Sequence, residues 1–197
     1  GVPASASPGT ALLDVGVTSG PEQSTIPAAF RYLFVPAGNE PGRWLPMDSM
    51  PGALGEVSAG VIDGWIYVIG ESGTQTWAYE PYSNTWTQAA SRPHAGHHSA
   101  AEVYDDKLYL FGGISNASTG KVQIYNPLTN SWSTGQRMPW DSSSSATAVI
   151  GDKIYAAGGM VNGAFTVTDT AVYDPALNTW TSLSPMIDGR NHAASAT

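Results

Sequence analysis

The octapeptide Tyr79–Trp86, YEPYSNTW, returns with changes as YNPLTNSW at Tyr125–Trp132 and as YDPALNTW at Tyr173–Trp180. Each copy reads Tyr-x-Pro-x-x-Asn-x-Trp. Pro presets φ for a turn, and Asn tolerates the left-handed conformation that closes one. The frame therefore reads as a strand, a hairpin turn and a second strand. The Trp residues set the register, with Trp44, Trp86, Trp132 and Trp180 at intervals of 42, 46 and 48. Self-similarity at such a period marks a repeat architecture.

Upstream of each frame lies a second recurring unit: VIDGWIYVIGE (61–71), VYDDKLYLFGG (103–113) and VIGDKIYAAGG (149–159). Asp63-Gly64, Asp105-Asp106 and Gly151-Asp152 are two-residue connections that tolerate positive φ, as tight hairpins require. Period-two alternation on either side of them reads as strands. Small residues precede each unit, as SAGV, SAAEV and SSATAV. Each repeat thus holds four short antiparallel strands, the content of one β-propeller blade. Small first-strand residues suit a crowded axis, and the Tyr and Trp side chains suit the gap between neighbouring sheets.

A Gly-Gly doublet followed by Tyr and then Trp resembles the kelch motif. Gly112-Gly113 with Tyr125 and Trp132, and Gly158-Gly159 with Tyr173 and Trp180, carry it in full. The first repeat departs from it, with Gly70-Glu71 in place of the doublet. The resemblance covers roughly residues 44–197 and implies an all-β, kelch-type β-propeller of four-stranded antiparallel blades. Residues 1–42 are expected to hold a partial blade with strands near 11–17 and 29–36. Residues 43–190 are expected to hold three blades, at about 43–90, 91–137 and 138–184. Residues 185–197 read as the first strand of a further or ring-closing blade. The chain is then either a slice of a propeller of about six or seven blades, as kelch similarity implies, or a small closed ring. Pairing with a neighbouring copy through an unpaired edge strand is a variant.

Composition narrows the function classes. The chain carries a net charge of −8, with eight Lys and Arg in all. That makes it a poor phosphate binder, so neither nucleic acid nor an anionic membrane surface is an expected partner. No run of 18 apolar residues offers a membrane-spanning helix. Without Cys there is no disulfide, thiolate metal site or Cys nucleophile.

Function in a propeller is expected on loops at the faces of the disc. The inter-blade loops AASRPHAGHH, GQRMPWDSSSS and SPMIDGRNH collect the candidate binding residues Arg92, His94, His97, His98, Arg137, Trp140, Asp141, Arg190 and His192. Arg recurs once per blade, so the guanidinium groups are expected either to converge on a carboxylate or acidic partner or to satisfy loop carbonyls within their own blades. Met138, Trp140 and Phe165 are the expected apolar contacts. His94, His97 and His98 lie in a loop rather than on a helix face, so their spacing does not aim two rings at one ion and no metal is expected. No cofactor motif and no Ser-His-acid arrangement is nameable. Asn116-Ala117-Ser118 is an N-glycosylation sequon.

A non-catalytic binding or structural module for a protein or glycan is therefore the leading expectation, in an extracellular or cell-surface setting that abundant Ser, Thr, Gly and Asn favour. The resemblance also brings enzymes into view. The galactose oxidase-like copper site needs a Tyr joined to a Cys, which this chain lacks, and no motif of the sialic-acid mutarotase type is found. A ubiquitin-ligase adaptor role fits an acidic, Lys-poor chain poorly. Two alternatives remain: part of a kelch-type carbohydrate-active enzyme, mutarotase-like through the clustered Arg and His or oxidase-like, and a self-assembling subunit joined by strand exchange.

Overall fold

The computed structural model describes residues 10–19, 22–33, 46–70, 73–115, 119–193 and 195. The chain divides into two units, one of residues 1–49 and 82–85, the other of residues 50–81 and 86–197. In the first unit, β1 (Thr10–Ser19) and β2 (Glu22–Leu33) form an antiparallel hairpin. The strand expected near 29–36 begins earlier, at Glu22, and residues 34–36 lie outside the described residues, as does Trp44. Pro27 is why the pattern of β2 is hard to read. It falls in the register irregularity between Leu13 and Val15, where the ladder needs no N–H from it.

The second unit carries the blades. The first sheet runs β3 (Ser58–Ile62), β4 (Trp65–Ile69), β5 (Thr76–Glu80) and β6 (Thr85–Ala89), each strand hydrogen-bonded to the next. The second repeats this with β7 (Ala100–Tyr104), β8 (Lys107–Phe111), β9 (Val122–Asn126) and β10 (Ser131–Gly135). The third has β11 (Ala146–Ile150) and β12 (Lys153–Ala157), then β15 (Thr170–Asp174) and β16 (Thr179–Ser182). A two-stranded hairpin, β13 (Met160–Val161) and β14 (Phe165–Thr166), rises from its middle loop. Between β16 and Ala193 there is no strand; from Ala194 on, most residues lie outside the described ones.

Turn chemistry explains the strand lengths. Asp63, Gly64, Asp105 and Asp106 all have positive φ, as do Gly151 and the Asn of each repeated frame. Such residues close primed hairpins that match strand twist. In the middle blade, β8 is buried on both faces. Leu108 and Leu110 pack with Tyr67, Ile69 and Ile62 of the first blade. Tyr109 and Phe111 pack with Ile154, Ala156 and Tyr173 of the third. That is why KLYLF is nearly continuous in apolar residues. The inner strands approach closely: a Cβ on Gly60 would lie 2.6 Å from Leu108 Cδ1.

The repeated frame is an inter-blade latch. Asn130, at φ 45°, accepts at Oδ1 from Tyr125 Oη (2.9 Å) and from the backbone N–H of Ala90 (2.8 Å) in the preceding blade. Trp132 Nε1 donates to the carbonyl of that same Ala90 at 2.8 Å. One blade later, Asn178 accepts from Tyr173 Oη and Gln136 N–H, both at 2.6 Å, while Trp180 Nε1 donates to Gln136 O at 3.0 Å. In the first repeat, Asn84 Oδ1 accepts from Asp48 N–H at 2.7 Å. Burial pushes the phenols of Tyr125 and Tyr173 up to about 12, so they remain donors.

Candidate functional site

Topology sorts the loops. The two-residue turns and the Pro-x-x-Asn turns lie at one end of the strands. The inter-blade loops and the loops between second and third strands lie at the other. All candidate binding residues belong to the latter end.

The structure does not gather the three guanidinium groups into one cradle. Arg92 is 3% exposed. It donates to the Gly73 carbonyl through Nε (3.2 Å) and Nη2 (2.8 Å), and Nη2 also reaches the carbonyls of Gly70 (3.3 Å) and Gly96. Burial lowers its pKa to about 10, which leaves it charged at neutral pH. Arg92, Met138 and Met186 are equivalent: their N–H groups donate to Thr74, Gly120 and Thr168 carbonyls in successive blades. Arg137 precedes that position and pairs with Asp141. Arg190 follows it and donates to the Gly189 carbonyl at 2.9 Å, with Asp188 3.8 Å away.

The expected apolar contacts also change. Met138 is buried against Phe111 and Tyr173 rather than presented to a partner. Trp140 packs on the same core and donates through Nε1 to Gly158 O at 3.2 Å. Phe165 is 70% exposed on β14. His94 lies along its loop, its N–H donating to the buried Gln123 Oε1 at 2.9 Å. Asn116 lies outside the described residues.

What does converge is a different set. Glu56, His98, Ser144 and His192 each stand twelve residues after a Trp of the repeat. All four are left-handed, with φ of 47°, 60°, 54° and 50°. Ser144 N–H donates to His98 O at 2.8 Å, and His192 N–H donates to Ser144 O at 3.1 Å. This backbone belt sets the side chains in a ring where the inner strands begin. His98 Nε2 lies 3.2 Å from Glu56 Oε2, and its ring meets that of His192 edge-on at 5.1 Å. His97 Nδ1 contacts His98 Nδ1. His192 Nδ1 donates to Asn191 Oδ1 at 2.7 Å, so its Nε2 is free to accept from Ser144 Oγ at 3.2 Å. A cavity of about 320 Å³ opens here, walled below by Ser99, Ala101, Ser145 and Thr147.

Burial and the neighbouring His97 and His192 lower the His98 pKa, against the opposing pull of Glu56. The ring therefore sets a carboxylate beside a His98 imidazole whose charged form is disfavoured. Among the described residues, no three His, Asp or Glu side chains are arranged to hold a metal ion. Of the residues expected at the site, His97, His98 and His192 reach this ring. Glu56 and Ser144 were missed, although the constant offset from each Trp marks both.

Residues 50–196 match the model described as the KLHDC2/KLHL20/DRC7 Kelch-repeats domain. The blades, latches and glycine doublets thus define a kelch-type β-propeller. The chain belongs to the kelch-repeat family. It is 33% identical to Kelch-like protein terF of Aspergillus terreus over 38% of this chain, which is 19% of the relative's length. The solved structure of YjhT superposes with a TM-score of 0.67 at 19% identity, covering 76% of this chain and 57% of that one. The chain thus spans about a fifth of that curated relative, and the second likeness is one of fold.

Proposed function

We propose that this propeller is a non-catalytic binding module and that it takes a protein partner at the inter-blade-loop end, over the ring of Glu56, His98, Ser144 and His192. The observation that carries the reading is the convergence of four polar side chains, from four successive repeat positions, on one open cavity. Recognition sites are concave and combine a few placed polar groups. Among the described residues, no Trp, Tyr or Phe lines the cavity as a sugar platform would, so a protein is favoured over a glycan. An extracellular or cell-surface setting is proposed with it, supported by composition and by the sequon at 116–118. A glycosidase-sensitive mass at Asn116 in protein from its source would test that setting.

Selection from a displayed random-peptide library tests the binding reading. Binders should be lost on the triple change Glu56→Ala, His98→Ala, His192→Ala and kept by Leu128→Ser at the opposite end. Binders with the reverse sensitivity would put the site on the wrong face.

A second reading attaches to the same atoms. Ser144, His192 and Asn191 stand in the order nucleophile, base and orienting group. Against it, Ser144 N–H is committed to the His98 carbonyl and does not serve as an oxyanion donor. A fluorophosphonate probe that labels Ser144 would establish this reading; an unlabelled Ser144 would leave the ring to binding alone.

A further inference from the structure

We infer that the ring is a receptor for a basic side chain, the guanidinium or ammonium group of the protein partner. This rests on the binding reading above and gives it a polarity, the opposite of the one that loop arginines suggest. Charges and donors at this end of the propeller point to it, with Lys121 set beside His94 rather than at the ring. Arg92 is buried among carbonyls, Arg137 is engaged by Asp141, and Arg190 sits beside Asp188. Lys107 and Lys153 pair with Asp105 and Asp152 at the far end of the strands. The formal charge at the cavity mouth is that of Glu56, whose side chain is 54% exposed.

Hydrogen-bond bookkeeping points the same way. His192 spends its one N–H on Asn191 and its lone pair on the Ser144 hydroxyl. His98 directs Nε2–H at Glu56. What remains for a visitor is acceptor capacity: the second oxygen of the Glu56 carboxylate and the lone pairs of Ser144. A group with several N–H donors and a positive charge satisfies both at once. A guanidinium can also lie flat against an imidazole, whereas a carboxylate would meet Glu56 as a like charge. The cavity, about 320 Å³, is of a size for one side chain. The net charge of −8 favours the approach of a basic partner.

Acid should close this receptor. The groups facing His98 are Glu56, His97 and His192, and those facing His192 are His98, Ser144 and Asn191. A protonated His98 would place positive charge where the ligand's charge must sit.

The test uses the whole chain with ¹³C-labelled histidine and the peptides acetyl-Gly-Gly-X-Gly-Gly-amide, where X is Arg, Lys, citrulline or Glu. Ring signals of His98 and His192 are followed by NMR at pH 7.5 in low salt. The Arg and Lys peptides should shift both signals and saturate on the order of millimolar, as one side chain can supply. Citrulline and Glu peptides should not. Glu56→Gln should weaken the Arg peptide by about tenfold or more, and affinity should fall as pH drops through the His98 titration. Equal shifts from citrulline, binding of the Glu peptide instead, or an unchanged affinity in Glu56→Gln would each overturn the proposal. The displayed library separates the two levels. Mouth-dependent binders without Lys or Arg would sink the polarity and keep the binding reading. A library with no mouth-dependent binder would sink both.

Discussion

The loop from the first blade to the second and the loop from the second to the third solve one packing problem with opposite chemistry. At the first, Arg92 is buried as a charged clamp that collects carbonyls from three glycines. At the second, Met138 occupies the same position as an apolar plug against Phe111 and Tyr173. Both are nearly inaccessible, at 3% and 4%. The backbone at each is fixed by the same hydrogen bond to the preceding loop. The difference follows the glycine doublet. Gly112 has φ 65°, and a Cβ there would collide with the Ser142 carbonyl, so that loop closes by backbone contact. In the first repeat the doublet is absent, and a long side chain reaches the carbonyls of Gly70 and Gly73 instead.

The largest effect should come from forcing one solution onto the other site. Met138→Arg would bury a guanidinium beside an aromatic core in a loop whose carbonyls are already partnered. A buried, uncompensated charge costs about 3–5 kcal/mol, a large share of a typical total stability. Urea unfolding should show the loss as a fall in midpoint at unchanged slope. A variant as stable as the parent would mean that the second loop holds a carbonyl cradle too. The reciprocal change, Arg92→Met, should cost less, about 2–4 kcal/mol. It supplies apolar volume but leaves the Gly70, Gly73 and Gly96 carbonyls without their donor. A neutral outcome would show that volume alone matters at this position.

This pair also shows what the sequence could convey. The blades were legible because hairpin turns, glycine doublets and the Tyr-x-Pro-x-x-Asn-x-Trp frame are local chemistry repeated at a period. The loops were misaligned because Arg92, Arg137 and Arg190 look periodic, yet the intervals drift from 42 to 48. Counted from each Trp, Arg92 matches Met138, and Arg137 is the residue before it. Glu56 and Ser144 of the ring were missed for a related reason. Glu56, His98, Ser144 and His192 share a backbone conformation, not a residue type, and conformation at a single left-handed position leaves little trace in composition.

The latches test whether the two junctions differ only in their plugs. Asn130→Gly keeps the left-handed turn but removes the acceptor for Tyr125 Oη and Ala90 N–H. It should cost about 1–2 kcal/mol, and Asn178→Gly should cost the same. Unequal losses would mean that Arg92 shares load with its neighbouring latch. The phenols add a pH dependence. Their folded pKa of about 12 lies above the usual value near 10. Their contribution is therefore complete below about pH 10 and is lost as pH rises through about 12. Circular dichroism across that window should show unfolding, and the Asn130→Gly variant should unfold at lower pH.

The smallest effects belong to the second equivalent pair, His98 and Ser144, an imidazole and a hydroxyl on the same belt. Burial, with His97 and His192, lowers the folded pKa of His98, while Glu56 raises it. A depressed basic pKa means that the unfolded chain takes up the proton more readily. The stabilising contribution is then complete above about pH 6.5 and fades as pH falls through the folded pKa. Variants should move that titration in opposite directions. Glu56→Gln removes the one neighbour that favours the charged ring, so the His98 midpoint should fall further. His192→Ala removes a neighbour that opposes it, so the midpoint should rise. Both variants should fold normally, because Glu56 and His192 are exposed. If NMR titration of the His98 ring gives the same midpoint in both, the four residues do not act on one another, and the belt is a backbone device with no shared site.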